Sequence, residues 1–162
     1  MYIGILVHSE TGHTLSVAQR IEKQLAEMGH DCRIERVSAL GETAQSRGQV
    51  KLPVELNSPP DATPYDAVIL GAPVWGFSLS KVMTAYINQL PRLSGKKTGC
   101  FITQHFARPI FGGNRSLRHL KDACRYKGAE VYASGIVNWS NPRREEQIEN
   151  LVRSFSQIGN PG

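Results

Sequence analysis

Apolar residues along the chain fall into two alternating rhythms. Short runs bounded by turn residues read as strands over Ile3 to His8, Asp31 to Val37, Tyr65 to Leu70, Lys97 to Thr103 and Glu130 to Val137. Ile3 to His8 and Tyr65 to Leu70 are almost unbroken in apolar character, the pattern of strands buried on both faces. Between the runs, apolar residues recur at three- and four-residue spacing. Leu15, Ala18, Ile21, Leu25 and Met28 mark a helix over 13–28 that Gly29 stops. Met83, Tyr86, Ile87 and Leu90 mark one over 80–90, with Pro91 just beyond. Leu117, Leu120 and Ala123 mark one over 114–126, ended by Lys127-Gly128. A closing helix over 142–158 is opened by Asn141 as N-cap and Pro142 at the first helical position.

Strands separated by helices make right-handed crossovers, and so a parallel sheet covered on both faces. The pattern predicts an α/β fold: a three-layer, doubly wound, five-stranded parallel sheet in strand order 2-1-3-4-5. Residues 39–64 interrupt it. They hold Gly41, Gly48, Pro53, Pro59, Pro60 and Pro64 with little periodicity, and predict at most a short helix near Glu42 to Ser46 followed by a long coil.

At 162 residues, the chain is expected to form one domain over 1–162. Its 40% hydrophobic and 20% charged content excludes disordered, collagenous and coiled-coil classes. No apolar run reaches the ~18 residues of a bilayer span. The start, Met1 to Val7, lacks a basic region and a small-residue cleavage site, and reads as a first strand rather than a leader. Cys32, Cys100 and Cys124 are odd in number and widely spaced. This argues against a disulfide framework or a zinc site and for reduced thiols in a cytoplasmic protein. A net charge of +5 permits an anionic partner or ligand and is too mild to imply nucleic acid.

In open α/β sheets, ligands sit beyond the carboxyl ends of the strands. The first such loop is Ser9-Glu10-Thr11-Gly12-His13-Thr14. Its hydroxyls and backbone amides, beside a helix N-terminus of about +0.5 charge, can donate many hydrogen bonds to a small anion. Simple helix capping is the competing reading. After the third strand, Pro73, Val74, Trp75, Gly76 and Phe77 set two large aromatics around a glycine, which suits a flat aromatic ligand. The alternative is a loop folding its aromatics back on the core. After the fourth strand, Gln104, His105 and Phe106 begin a loop that ends in Gly112-Gly113, a second wall for the same ligand or a mobile loop without ligand contact. No metal-ligand cluster and no catalytic residue stand out.

Several classes fail on residues. The chain has no Gly-Lys-Ser/Thr phosphate loop and no G-x-G-x-x-G after strand one. The third strand ends in Leu70-Gly71 rather than an aspartate, against a response regulator. The first loop has no cysteine, against a cysteine phosphatase.

Ser9-x-Thr11-Gly12-x-Thr14 after strand one, with Gly71-x-Pro73-x-Trp75-Gly76 after strand three, resembles the flavodoxin-like superfamily of FMN-binding proteins. The resemblance extends from Ile3 to Phe155. It implies that Ser9, Glu10 (by its backbone), Thr11, Gly12, His13 and Thr14 hold the FMN phosphate. It implies that Pro73, Val74, Trp75, Gly76 and Phe77 line one side of the flavin ring, and that the loop bearing Gln104, His105, Phe106 and Gly112 lines the other. It also implies that the peptide at Gly76 can turn its carbonyl toward the ring, a change glycine tolerates.

The function implied is electron transfer through a non-covalent FMN, with a redox partner protein. The alternative is an NAD(P)H-dependent quinone or FMN reductase of the same fold; a third is an interaction module that has lost the cofactor. The chain departs from acidic electron carriers in its basic charge and in Phe77, where carriers often place an acidic residue. A shell without negative charge makes a flavin easier to reduce fully. Arg108, Arg115 and Arg118 can meet an anionic substrate or nicotinamide phosphates, or belong to a solvated helix face. The oligomeric state is not legible.

Overall fold

A computed structural model describes residues 1–43, 45, 46 and 49–160. The strands are β1 (Tyr2–Val7), β2 (Asp31–Arg36), β3 (Ala67–Trp75), β4 (Ser78–Leu79), β5 (Lys97–Gln104) and β6 (Glu130–Asn138). The helices are α1 (His13–Glu27), α2 (Lys81–Gln89), α3 (Gly113–Tyr126) and α4 (Arg144–Phe155), the last running into a 3-10 turn over Ser156–Gly159. The main sheet is parallel in the order β2-β1-β3-β5-β6, which is the expected 2-1-3-4-5 for the five long strands.

Strand periodicity sorts side chains to two cores. Ile3, Ile5, Val7, Ala67, Ile69 and Phe101 face α1 and α4, where Val17, Ile21, Leu25, Ile148, Leu151 and Phe155 meet them. Leu6, Val68, Leu70, Ala72, Cys100 and Ile102 face α2 and α3, where Val82, Met83, Tyr86, Leu120 and Cys124 meet them. Burial on both faces is why the central strands read as continuous apolar runs rather than alternation. The outer strand β2 shows the alternation of an edge, with Asp31, Arg33 and Arg36 exposed.

The third strand is longer than Tyr65 to Leu70. It begins at Ala67 and runs through Gly71 and Pro73 to Trp75 before turning into the unforeseen β4. Gly71 is a strand residue because the Phe101 ring from β5 occupies its side-chain space; a Cβ there would lie 2.2 Å from Phe101 Cζ. Pro73 is tolerated because β1 has already ended. His8 N–H donates to Gly71 O at the last rung, and beyond it Pro73 O accepts from Ser80 N–H of the returning hairpin.

Other boundaries move slightly. Gln104 belongs to β5 rather than to the loop after it. The closing helix starts at Arg144, and Pro142 lies before it. Asn141 forms a turn instead of a cap, its Oδ1 accepting from Arg143 N–H. The helix expected near Glu42 to Ser46 is absent among the described residues, Ala44 lying outside them; Glu42 N–H donates to Ala39 O and Ser46 N–H to Thr43 O, each closing a turn. An antiparallel bridge between Ala39 and Leu56 closes this segment on itself.

The three cysteines are free, with Cys100 and Cys124 Sγ atoms 3.9 Å apart in the core. Among the described residues, no helix is long and apolar enough to cross a membrane.

Candidate functional site

The carboxyl ends of β1, β3 and β5 deliver three loops to one cleft of about 370 Å³. That is within the roughly 300–1,000 Å³ of small-molecule sites. From the first loop and the start of α1 come Glu10, Thr11, His13 and Thr14. From β3 come Pro73, Val74 and Trp75; from the end of β5 come Thr103, Gln104 and His105.

The first loop splits by role. Thr14 is buried, its hydroxyl 2.8 Å from that of Thr103, which ties the start of α1 to β5. Ser9 is also buried; its hydroxyl accepts from Leu15 N–H, and its carbonyl accepts from the Arg36 guanidinium at 2.6 Å. Ser9 and Gly12 border an adjoining hollow beneath Arg36 that shares Glu10 and Thr11 with the main cleft. Gly12 caps α1 at φ 92° and has no side chain to offer the helix's first amides, of which Leu15 N–H goes to Ser9. A Cβ on Gly12 would meet nothing within 4 Å. The helix N-terminus is open toward space at Gly12, although the Ser9 hydroxyl already takes Leu15 N–H, and an anion placed there meets the positive end of α1.

Gly76 and Phe77 form the two-residue turn between β3 and β4, with Trp75 paired to Ser78. Both have positive φ, 55° and 65°, the signature of a type I′ hairpin. Phe77 is strained there, since a left-handed conformation costs a non-glycine residue roughly 1–2 kcal/mol. The turn is gripped from behind by Gly112, the N-cap of α3. Gly112 does not line the cleft; a Cβ on it would lie 2.6–2.8 Å from Phe77 backbone atoms. Phe77 and Phe106 stand on the rim, ring planes within 6° and centroids 5.9 Å apart.

Gln104 braces the third loop. Its Nε2 donates to Arg108 O and to Asn138 Oδ1, while its buried Oε1 has no partner.

Sequence reasoning did not single out the support beneath Trp75. His8 is fully buried, and its ring meets the Trp75 indole edge-on at 4.8 Å. Its Nε2 lies 2.8 Å from Glu42 Oε2 and its Nδ1 2.9 Å from Ser80 Oγ, which also caps α2 by accepting from Met83 N–H. An ionised Glu42 only accepts, which puts a proton on Nε2; in the neutral ring Nδ1 then accepts from the Ser80 hydroxyl. The irregular 39–64 segment thus supplies the group that fixes the histidine under the tryptophan. Glu42→Ala leaves a buried donor without its partner and is expected to cost about 1–3 kcal/mol in urea unfolding.

Trp139 is the second omission. It follows β6 at the same edge of the sheet, and its ring stacks on His13 with centroids 3.8 Å apart and planes 9° apart. The Arg144 guanidinium sits 4.5 Å from the same ring's centroid. Burial, then Arg144, then His105 hold the His13 imidazole below its ordinary pKa. An aromatic just past a strand's carboxyl end was the available signal, hidden because the link to the last helix is so short.

No protein-family model matches the chain, and no curated protein matches it. Solved structures do. Oxidised flavodoxin 2 from Bacillus cereus superposes with a TM-score of 0.69 at 19% identity, covering 97% of this chain and 99% of its own. Two-electron reduced flavodoxin from Megasphaera elsdenii gives 0.68 at 23%, covering 96% and 98%. A flavoprotein in complex with FMN from Lactobacillus acidophilus gives 0.62 at 16%, covering 93% and 97%. The chain has the flavodoxin-like fold along almost its whole length.

Proposed function

We propose that the cleft binds FMN non-covalently and that the protein carries electrons through it. The observation that supports this best is the convergence of the α1 N-terminus and a propped indole on one cleft. The residues fit the group. The α1 amides, with Thr11 and His13, receive the phosphate; Ser9 and Thr14 shape that loop from behind. Trp75, with Pro73 and Val74, forms the inner wall for the ring. His105 forms the outer wall, with Phe106 and Phe77 at the rim. When bound, FMN supplies one- and two-electron chemistry, and the protein tunes it through these contacts.

The preference for a carrier over an NAD(P)H-dependent quinone or FMN reductase comes from the exposed aromatic rim, which offers a protein contact beside the cofactor site. The purified protein is expected to show flavin absorbance and to release FMN on denaturation. Under anaerobic conditions it should be reduced by dithionite and not, at a catalytic rate, by NADH or NADPH. A colourless protein that binds no added FMN contradicts the cofactor. Rapid reduction by NAD(P)H with quinone turnover establishes the reductase instead.

A further inference from the structure

Four of the exposed large apolar side chains gather on the outer rim of the cleft: Phe77 (55% exposed), Phe106 (46%), Ile110 (69%) and Phe111 (43%). The rings form a continuous surface, Phe77 to Phe106 at 5.9 Å and Phe106 to Phe111 at 5.3 Å. Two unlike elements build it, the β3–β4 turn and the loop before α3, locked together at Gly112. Clustered apolar exposure of this kind marks an interaction site, whereas scattered exposed residues do not.

The charge around it has one sign. Residues 67–121 contain no Asp or Glu and eight Lys and Arg, although the chain holds fourteen acids. The rest of the sequence, with eleven Lys and Arg against those fourteen acids, is net negative. Lys96 and Lys97 are turned to backbone carbonyls at the far end of β5. Arg108 in the loop, Arg115 and Arg118 on the first turns of α3, and Lys81 at the start of α2 are exposed. Among the described residues, none of these four forms an ion pair. On α4, across the sheet, Glu145 pairs with Arg20 and Glu146 with Arg143.

We infer that this face docks a redox protein whose own contact surface is acidic around an apolar centre. Aromatic and arginine side chains are the residues that anchor protein interfaces, and the unpaired cations attract and orient an acidic partner before contact. The inference rests on the electron-carrier reading, because docking here brings the partner to the cofactor's exposed side.

Stopped-flow oxidation of the dithionite-reduced protein by acidic cytochrome b5 tests it, with basic cytochrome c as the control. The rate with cytochrome b5 should fall about tenfold between 20 and 500 mM NaCl, as screening removes steering. The rate with cytochrome c should not fall. Arg115→Glu/Arg118→Glu should abolish the salt dependence, and Ile110→Ser/Phe111→Ser should weaken cytochrome b5 binding about tenfold. Both variants should leave FMN affinity unchanged. Amide chemical-shift mapping with cytochrome b5 gives a readout that needs no bound flavin, and its footprint should fall on 77 and 105–118. A footprint there in a protein without flavin fails the cofactor reading and keeps the docking face. Bound flavin with no footprint, a salt-independent rate, or single-stranded DNA occupying the face in place of cytochrome b5 overturns the inference.

Discussion

Gly112→Ala is expected to lower stability by about 2–5 kcal/mol in urea or thermal unfolding, and to weaken FMN binding with it. Two costs combine. At φ 104° an alanine sits in the left-handed region, at roughly 1–2 kcal/mol. Its Cβ would also lie 2.6–2.8 Å from Phe77 Cα, C and O. These are backbone atoms and cannot swing aside. Phe77 is held at φ 65° in a two-residue turn by the Trp75–Ser78 pair, so relieving the contact moves Trp75 as well. Overpacking of this kind typically costs 1–3 kcal/mol. Gly29→Ala is the matched control. Gly29 has φ 90° with nothing within 4 Å of a Cβ, so only the conformational cost of roughly 1–2 kcal/mol applies. Equal losses in the two variants would show that the turn is not braced from behind.

Trp75→Ala is expected to weaken FMN binding by about 1–3 kcal/mol, between roughly fivefold and 150-fold in Kd, from lost stacking and apolar burial. The mechanism predicts a distinguishing second effect. Trp75 is propped edge-on by His8, which Glu42 and Ser80 hold. Glu42→Ala should therefore reduce FMN affinity as well as stability, and the double variant should lose less affinity than the two single losses combined, as expected when residues share one contact. Additive losses would separate the His8 support from the indole. An unchanged affinity in Trp75→Ala would show that the tryptophan does not meet the ring.

How far the chain explains itself depends on which interactions set each element. The five long strands and four helices were legible because burial on two faces or one imposes its own spacing, as Ile3, Ile5 and Val7 against Leu6 illustrate. The third strand was cut short because Gly71 and Pro73 are local breakers. What overrides them is tertiary, the Phe101 ring over one and the end of β1 beside the other. The three loops were legible as a site because hydroxyls, glycine and tryptophan at strand ends have few other uses there. Their supports were not. His8 read as the end of a strand, Glu42 as part of a coil and Trp139 as a short link, and their roles arise only when 34 residues of separation close to a 2.8 Å contact or a ring from β6's end meets His13. The inward turn of Ser9 and Thr14 belongs to the same class, since a hydroxyl's partner is chosen by geometry.

The account stands on the phosphate being received at the open N-terminus of α1. Titrating the flavin-free protein with FMN and with riboflavin, each followed by quenching of flavin fluorescence, tests this most directly. Riboflavin shares the ring and ribityl chain and lacks only the phosphate. FMN should bind at least about thirtyfold tighter, the effect of roughly 2 kcal/mol of charge-assisted hydrogen bonds. Equal affinities for the two ligands would contradict the account.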